Sequence, residues 1–204
     1  LRDYLMYEGF SCKFVPIKNK VQSLDVGLVD TDELYDKIVN KSCFDAVSRE
    51  DYCVDYQNTY TFLGVMSLRS LFTSAANAFL AAGEKDRAEE MLDKCQQVLK
   101  PKEYPYDNSL LGWASNSLFP ITMVKDYYAL GKPEKAQALA RELNKELLES
   151  IRFYLDFYSI CKNDFEYNCN LIYYLANDVI RAAGDKEFAD EIANSLSDYL
   201  SAMQ

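Results

Sequence analysis

Histidine is absent from this chain, and glycine, proline and tryptophan are scarce, at seven, five and one in 204 residues. Without histidine no Ser-His-Asp, Cys-His or H-E-x-x-H site can form, so acid–base work would fall to carboxylates, Tyr, Cys or Lys. So few glycines leave no Gly-rich phosphate loop. Cations are short too: 22 Lys and Arg stand against 32 Asp and Glu, a net charge of −10. That balance argues against nucleic acid, whose phosphates need Lys and Arg, and against anionic lipid. No apolar run approaches the ~20 residues of a membrane span, so direct membrane insertion is not expected. No C-x-x-C occurs among the six cysteines, so neither structural zinc nor any other metal or cofactor is expected. No signal peptide is visible. The chain starts at Leu1 and reads at once as mid-domain sequence, so a fragment of a longer parent is expected.

What is present is a repeated phrase: AAGEKDRAEEML, ALGKPEKAQALA and AAGDKEFADEIA. The copies share Ala-x-Gly-x-x-x-x-Ala, at Ala81/Gly83/Ala88, Ala129/Gly131/Ala136 and Ala182/Gly184/Ala189. The phrase reads as the turn of a helical hairpin. Gly83, Gly131 and Gly184 each end a helix in the left-handed conformation. Ala88, Ala136 and Ala189 leave room for two helices to cross closely. The spacings of 48 and 53 residues imply a stacked array with long helices and loops.

Residues 1–57 read as an irregular N-terminal α/loop segment packed on that array, which covers 58–204. Leu1 to Gly9 suggests a short helix, and Cys12 to Val15 an extended stretch stopped by Pro16. Residues 18–29 read as loop, a helix runs from Asp30 to about Asn40, and 41–57 read as irregular. Apolar periodicity then predicts helices over about 58–82, 85–98, 109–130, 133–158, 167–183 and 186–202, with 159–166 a loop. Pro120 predicts a kink or a late start in the third of these, and Pro133 suits a first helical turn.

Asp30-Thr31-Asp32-Glu33 is the sharpest acidic cluster. Two carboxylates with neighbouring oxygens can hold Mg²⁺ or Mn²⁺. The reading adopted is a helix cap, with Asp30 as N-cap and Glu33 three residues on. Sixteen tyrosines offer rings for packing or for stacking on sugars and peptides, with packing the main use. Tyr104, Tyr106 and Trp113 sit in or near a loop and are the candidate binding surface. The cysteine pairs Cys43/Cys53 and Cys161/Cys169 permit disulfides, the second pair flanking one expected loop. Free thiols are the alternative, with Cys95 at a helix-packing position.

Residues 69–101 resemble a tetratricopeptide repeat, carried by Phe72, Ala75, Ala76, Phe79, Gly83, Ala88, Leu92 and Cys95, with Pro101 one residue late. Pro120 and Asn177 depart from the pattern in the later copies. A second resemblance rests on Leu1 to Gly9, Phe14-Val15-Pro16-Ile17, Val29 to Tyr35 and Tyr127-Tyr128-x-Leu130-Gly131. These are similar to the C-terminal soluble region of a family of Gram-negative multipass membrane proteins of unknown function. That family is related to protein O-mannosyltransferases of the glycosyltransferase-C type. The resemblance implies a membrane-embedded parent whose catalytic acids lie outside this chain, and a periplasmic location for the chain itself.

The expected fold is all-α, a right-handed αα superhelix of three tetratricopeptide-like hairpins plus the N-terminal segment. The expected function is a non-catalytic interaction or scaffold domain of a membrane glycosyltransferase-like parent. Its partner would be a protein or peptide, the parent's own membrane part included. The alternative is an acceptor- or glycan-binding domain that assists sugar transfer. A third class is a carboxylate-based hydrolase. A deep cleft of converging carboxylates would favour the enzyme, a groove with exposed aromatics a glycan or peptide, and a broad apolar patch docking.

Overall fold

Caps and glycine turns set where the helices of this chain start and stop. The computed structural model describes residues 4–9, 11–16, 18, 28–49, 65–106 and 118–202. These residues are mostly helical, with little strand. The chain divides into two compact units, Leu1–Tyr104 and Pro105–Gln204. The N-terminal segment thus shares a unit with the first two long helices.

In the first unit, β1 (Leu5–Tyr7) pairs antiparallel with β2 (Cys12–Phe14) and parallel with β3 (Leu28–Val29). Of the helix expected over residues 1–9, the stretch Leu5–Tyr7 is therefore corrected to a strand, and 1–3 lie outside the described residues. The chain turns at Gly9, where the Glu8 N–H donates to the Ser11 carbonyl at 3.1 Å. An isolated segment this short cannot sustain a helix, whereas strand pairing satisfies its backbone groups.

Helix α1 (Thr31–Tyr35) continues as a π-helical stretch, Asp36–Lys41. Asp30 caps it, its Oδ1 accepting from the Glu33 N–H at 3.1 Å. Leu34 and Ile38 are buried, and the Tyr35 ring meets Phe79 edge-on at 6.1 Å. Helices α2 (Val65–Ala82) and α3 (Lys85–Val98) pack on each other, joined only by Gly83 and Glu84. Three side-chain links then join α1 and its π-helical continuation to α3. Arg87 pairs with Asp32 at 2.7 Å, the Tyr35 hydroxyl donates to Glu90, and Lys94 Nζ donates to the Val39 carbonyl at 3.4 Å. Each link spans the same 55 residues of sequence. A constant offset means that this helical segment runs parallel to α3.

The second unit holds α4 (Leu118–Ala129), α5 (Pro133–Asp156), α6 (Tyr158–Tyr174), a π-helical stretch Leu175–Ile180, and α7 (Lys186–Ala202). Helix α5 packs on both α4 and α6, and α7 packs on the π-helical stretch, α5 and α6. Pro120 stands third in α4, where the ring and the missing N–H do not interrupt a ladder. The loop expected over 159–166 is corrected to helix. Only Phe157 separates α5 from α6, with a kink at Cys161. No glycine or proline stands between Phe157 and Ala183 to stop it.

The same three-residue device ends α2, α4 and the π-helical stretch. Gly83, Gly131 and Gly184 have φ of 81°, 74° and 95°. At the first, the Glu84 N–H donates to the Phe79 carbonyl at 2.8 Å and the Gly83 N–H to Leu80 at 3.0 Å. Lys132 with Tyr127, and Asp185 with Ile180, repeat the outer bond at 2.9 and 3.3 Å. These paired bonds satisfy carbonyls that a helix end leaves orphaned, and they require a left-handed residue. Ala88, Ala136 and Ala189, each five residues on, are fully buried.

Candidate functional site

Arg141, Lys145 and Arg152 fall within a narrow arc of α5, because spacings of four and eleven residues nearly close whole helical turns. Asn144 and Leu148 lie beside that arc. Helix α7 packs alongside, and polar links tie the two together. Gln137 Nε2 donates to Asp185 Oδ2 at 2.7 Å. The Arg141 guanidinium lies over the Phe188 ring at 4.5 Å and grips Glu191, Nε to Oε1 at 3.0 Å. Asn144 Nδ2 donates to Ser195 Oγ at 2.9 Å, and that hydroxyl donates to the Ile192 carbonyl at 2.7 Å.

Past these links the two helices leave a groove of about 390 Å³, lined by Arg141, Asn144, Lys145, Leu148, Arg152 and Tyr199, among others. Asn144 is only 7% exposed, and its Oδ1 has no hydrogen-bond partner among the described residues. The Lys145 side chain is 76% exposed and lies 4.0 Å from Glu149. Arg152 is exposed, without an ion pair among the described residues. Glu149 and Glu191 line the groove as well, facing Lys145 and Arg141, so its charges are mixed.

The electrostatics follow from the contacts. Glu191 raises the affinity of Arg141 for its proton. The Gln137 amide holds the Asp185 carboxyl below the ordinary aspartate range, with the Tyr128 hydroxyl helping. Burial, then Asp185 itself, pushes the Tyr128 phenol up.

Two further surfaces stand out. The outer face of α3 carries Asp86, Glu89, Glu90 and Asp93 around an open groove of about 330 Å³, with Lys94 and Gln97 among them. Among the described residues no three metal-ligating side chains come together. At the corner between α5 and α6, Phe153, Leu155, Phe157, Tyr158 and Ile160 are all exposed, Ile160 at 83%. The Phe153 and Phe157 rings lie 5.0 Å apart.

The sequence reading of the binding surface is corrected for two of its three residues. Tyr104 and Tyr106 are each 1% exposed, so neither ring offers a face to a ligand. Both sit in a segment that polar groups pin down. Arg69 donates to the Tyr104 carbonyl, the Tyr104 hydroxyl donates to the Val47 carbonyl at 2.9 Å, and the Tyr106 N–H donates to Glu146 at 2.6 Å. Trp113 lies outside the described residues. The Asp30 cluster divides its work: Asp30 caps α1 and Asp32 pairs with Arg87.

Of the alternatives left open for Cys161 and Cys169, the free thiols hold. Both residues stand on α6 as free thiols. Eight residues of helix rise about 12 Å, against the ~7 Å that a disulfide allows between Cα atoms. Cys12 and Cys43 are exposed free thiols, and Cys53 lies outside the described residues. Burial pushes the Cys95 thiol up to about 12, which removes it as a nucleophile near neutral pH.

The α5–α7 groove and the α5–α6 corner were not singled out from sequence. The spacing of the cations at 141, 145 and 152 is the signal that marks the groove. The corner is marked by Phe-Tyr-Leu-Asp-Phe-Tyr over 153–158, more aromatic than one buried stripe can use. Among the described residues no helix is long and apolar enough to cross a membrane. No family model, curated protein or solved structure matches the chain.

Proposed function

We propose that this chain is a non-catalytic interaction or scaffold domain that docks a protein or peptide. The observation that carries the reading is the exposed apolar corner at Phe153, Leu155, Phe157, Tyr158 and Ile160. Large apolar side chains clustered within eight residues at the surface mark an interaction site more often than they serve the fold. In this reading the fold is a tetratricopeptide-like αα superhelix. It serves a membrane glycosyltransferase-like parent on the periplasmic side, and the parent's own membrane part is a candidate partner. The constant offset between α1 and α3 and the repeated glycine turns support the tetratricopeptide-like part of this proposal.

The test is site-specific photo-crosslinking in cells, with a benzophenone side chain at position 157 or 160 and a control at exposed Lys85. A discrete adduct at the corner and none at Lys85 is the expected result. Adducts no different from the control would remove the docking reading.

The second reading, an acceptor- or glycan-binding domain, draws on Tyr158, Tyr167, Tyr173 and Tyr174 of α6, each 39–46% exposed. Half-exposed rings can stack on sugar faces. Oligosaccharide titration followed by tyrosine fluorescence separates the two: saturable quenching that Tyr173→Ala and Tyr174→Ala abolish would favour the glycan.

A further inference from the structure

The sheet of the first unit has an open edge. Its strand order is β2-β1-β3, so β2 lies at one end, and among the described residues no further strand pairs with its outer side. The ladder with β1 fixes which backbone groups point outward. The Val15 N–H donates to the Tyr4 carbonyl at 2.8 Å, and the Glu8 N–H to the Ser11 carbonyl at 3.1 Å. In an antiparallel ladder every second pair exchanges bonds, so Lys13 is the residue of β2 that bonds to β1, through Met6. Cys12 and Phe14 therefore turn their N–H and C=O groups away from β1. All three residues of β2 are exposed, and Phe14 is 61% exposed with its ring 6.0 Å from that of Tyr4.

Charge decides what this edge can take. Antiparallel pairing with a second copy, in the register that uses all four outward groups, joins Cys12 of each copy to Phe14 of the other. It sets Lys13 directly opposite Lys13, with Cα atoms about 4.5 Å apart, and like charges so placed repel. A lysine on an edge strand is a known guard against self-pairing. The same lysine favours a foreign strand that brings a carboxylate. Lys13 has no ion pair among the described residues, and no acid stands between Gly9 and Lys18. Glu8, the next acid in sequence, is held by Lys37 at 3.0 Å.

We propose that β2 accepts an extended peptide as an added antiparallel strand, with an acidic residue opposite Lys13 and an apolar residue on each side of it. The two apolar residues exchange backbone bonds with Cys12 and Phe14. Their side chains lie on the face that Cys12 and Phe14 share, because alternate residues of a strand point the same way. Main-chain bonds hold the peptide, and the pair with Lys13 sets its register. The edge belongs to the first unit and the α5–α6 corner to the second, so this is a surface beyond the docking reading above.

The test uses acetylated, amidated heptapeptides with a central Val-Glu-Val, and Val-Gln-Val and Val-Lys-Val counterparts. Binding to the 204-residue chain is followed by amide chemical shifts and hydrogen exchange. Val-Glu-Val binds with shifts at residues 12–14, about fivefold more tightly than Val-Lys-Val. Lys13→Glu, an exposed change, reverses that order. The Cys12 and Phe14 amides exchange quickly in the free chain and slowly in the complex. Methylating the nitrogen of either central valine abolishes binding, whereas methylating that of the glutamate is tolerated, since only the valine N–H groups face β2.

No binding by any of the peptides overturns the proposal. So does equal binding of all three, or an order that Lys13→Glu leaves unaltered. A dimer of the chain alone, with the Cys12 and Phe14 amides protected, gives the edge to a second copy and overturns it too. Shifts confined to residues 153–160 remove the edge and leave the corner. Edge binding without crosslinks at 157 or 160 removes the corner and keeps the edge.

Discussion

The Tyr128 hydroxyl donates to Asp185 Oδ2 at 2.9 Å, and through that one carboxylate three helix ends are tied together. Tyr128 stands at the end of α4, Gln137 in the second turn of α5, and Asp185 just before α7, where its Oδ1 faces the Phe188 N–H at 3.4 Å. A single acid serves as cap and cross-link at once.

Asp185→Ala removes both roles. It should cost about 1–2 kcal/mol of stability, the scale of a lost cap with its hydrogen bonds, read as the urea midpoint. The carboxyl is held below its ordinary range, so its contribution is complete above the unfolded aspartate pKa and is lost as pH falls through the lowered folded value. Melting curves below about pH 4 should therefore converge for the native chain and Asp185→Asn. A constant gap at all pH values would show that the carboxylate charge does not matter.

Ala136 is fully buried where α5 meets its neighbours. Ala136→Leu should overpack that crossing by about 1–3 kcal/mol, measured as a drop in thermal midpoint. An unchanged midpoint would mean that the helices separate freely there.

Thiol reactivity should rank by exposure. In the folded chain Cys12 and Cys43 should react with iodoacetamide within minutes at neutral pH, while Cys95 stays unmodified until denaturant is added. Peptide mass mapping gives the order, and early labelling of Cys95 would contradict its burial. A non-reduced digest should show no peptide linking Cys161 to Cys169.

Gly83→Ala should cost on the order of 1 kcal/mol, because alanine must adopt φ of 81° to keep the joint. Equilibrium unfolding in urea measures it, and a neutral result would show that the turn relaxes into another shape.

Helices α3 and α7 were legible in the sequence almost to the residue, because each opens after a glycine turn and keeps one apolar stripe, as Ala88, Met91, Leu92 and Cys95 do. The acidic start at Asp30 was legible for the same local reason. What failed depended on distant partners. Leu5–Tyr7 becomes a strand only because Cys12–Phe14 and Leu28–Val29 lie beside it. The residues before Asn168 look like loop because so many are polar, yet nothing among them stops a helix. Tyr104 and Tyr106 have no periodicity to report burial, which Arg69, Val47 and Glu146 impose from 35 or more residues away. The groove depends on two helices meeting, so only its cation spacing was written locally.

The glycine joints are open to solvent. A β-carbon built on Gly83, Gly131 or Gly184 meets no atom within 4 Å. Nothing crowds these positions, so the bar to other residues is handedness and not size. A mirror-image residue prefers the very φ that these joints hold. D-Alanine introduced at position 83 by chemical ligation should fit without strain and restrict the unfolded chain. The protein would then be more stable than with glycine, by about 0.4–1 kcal/mol.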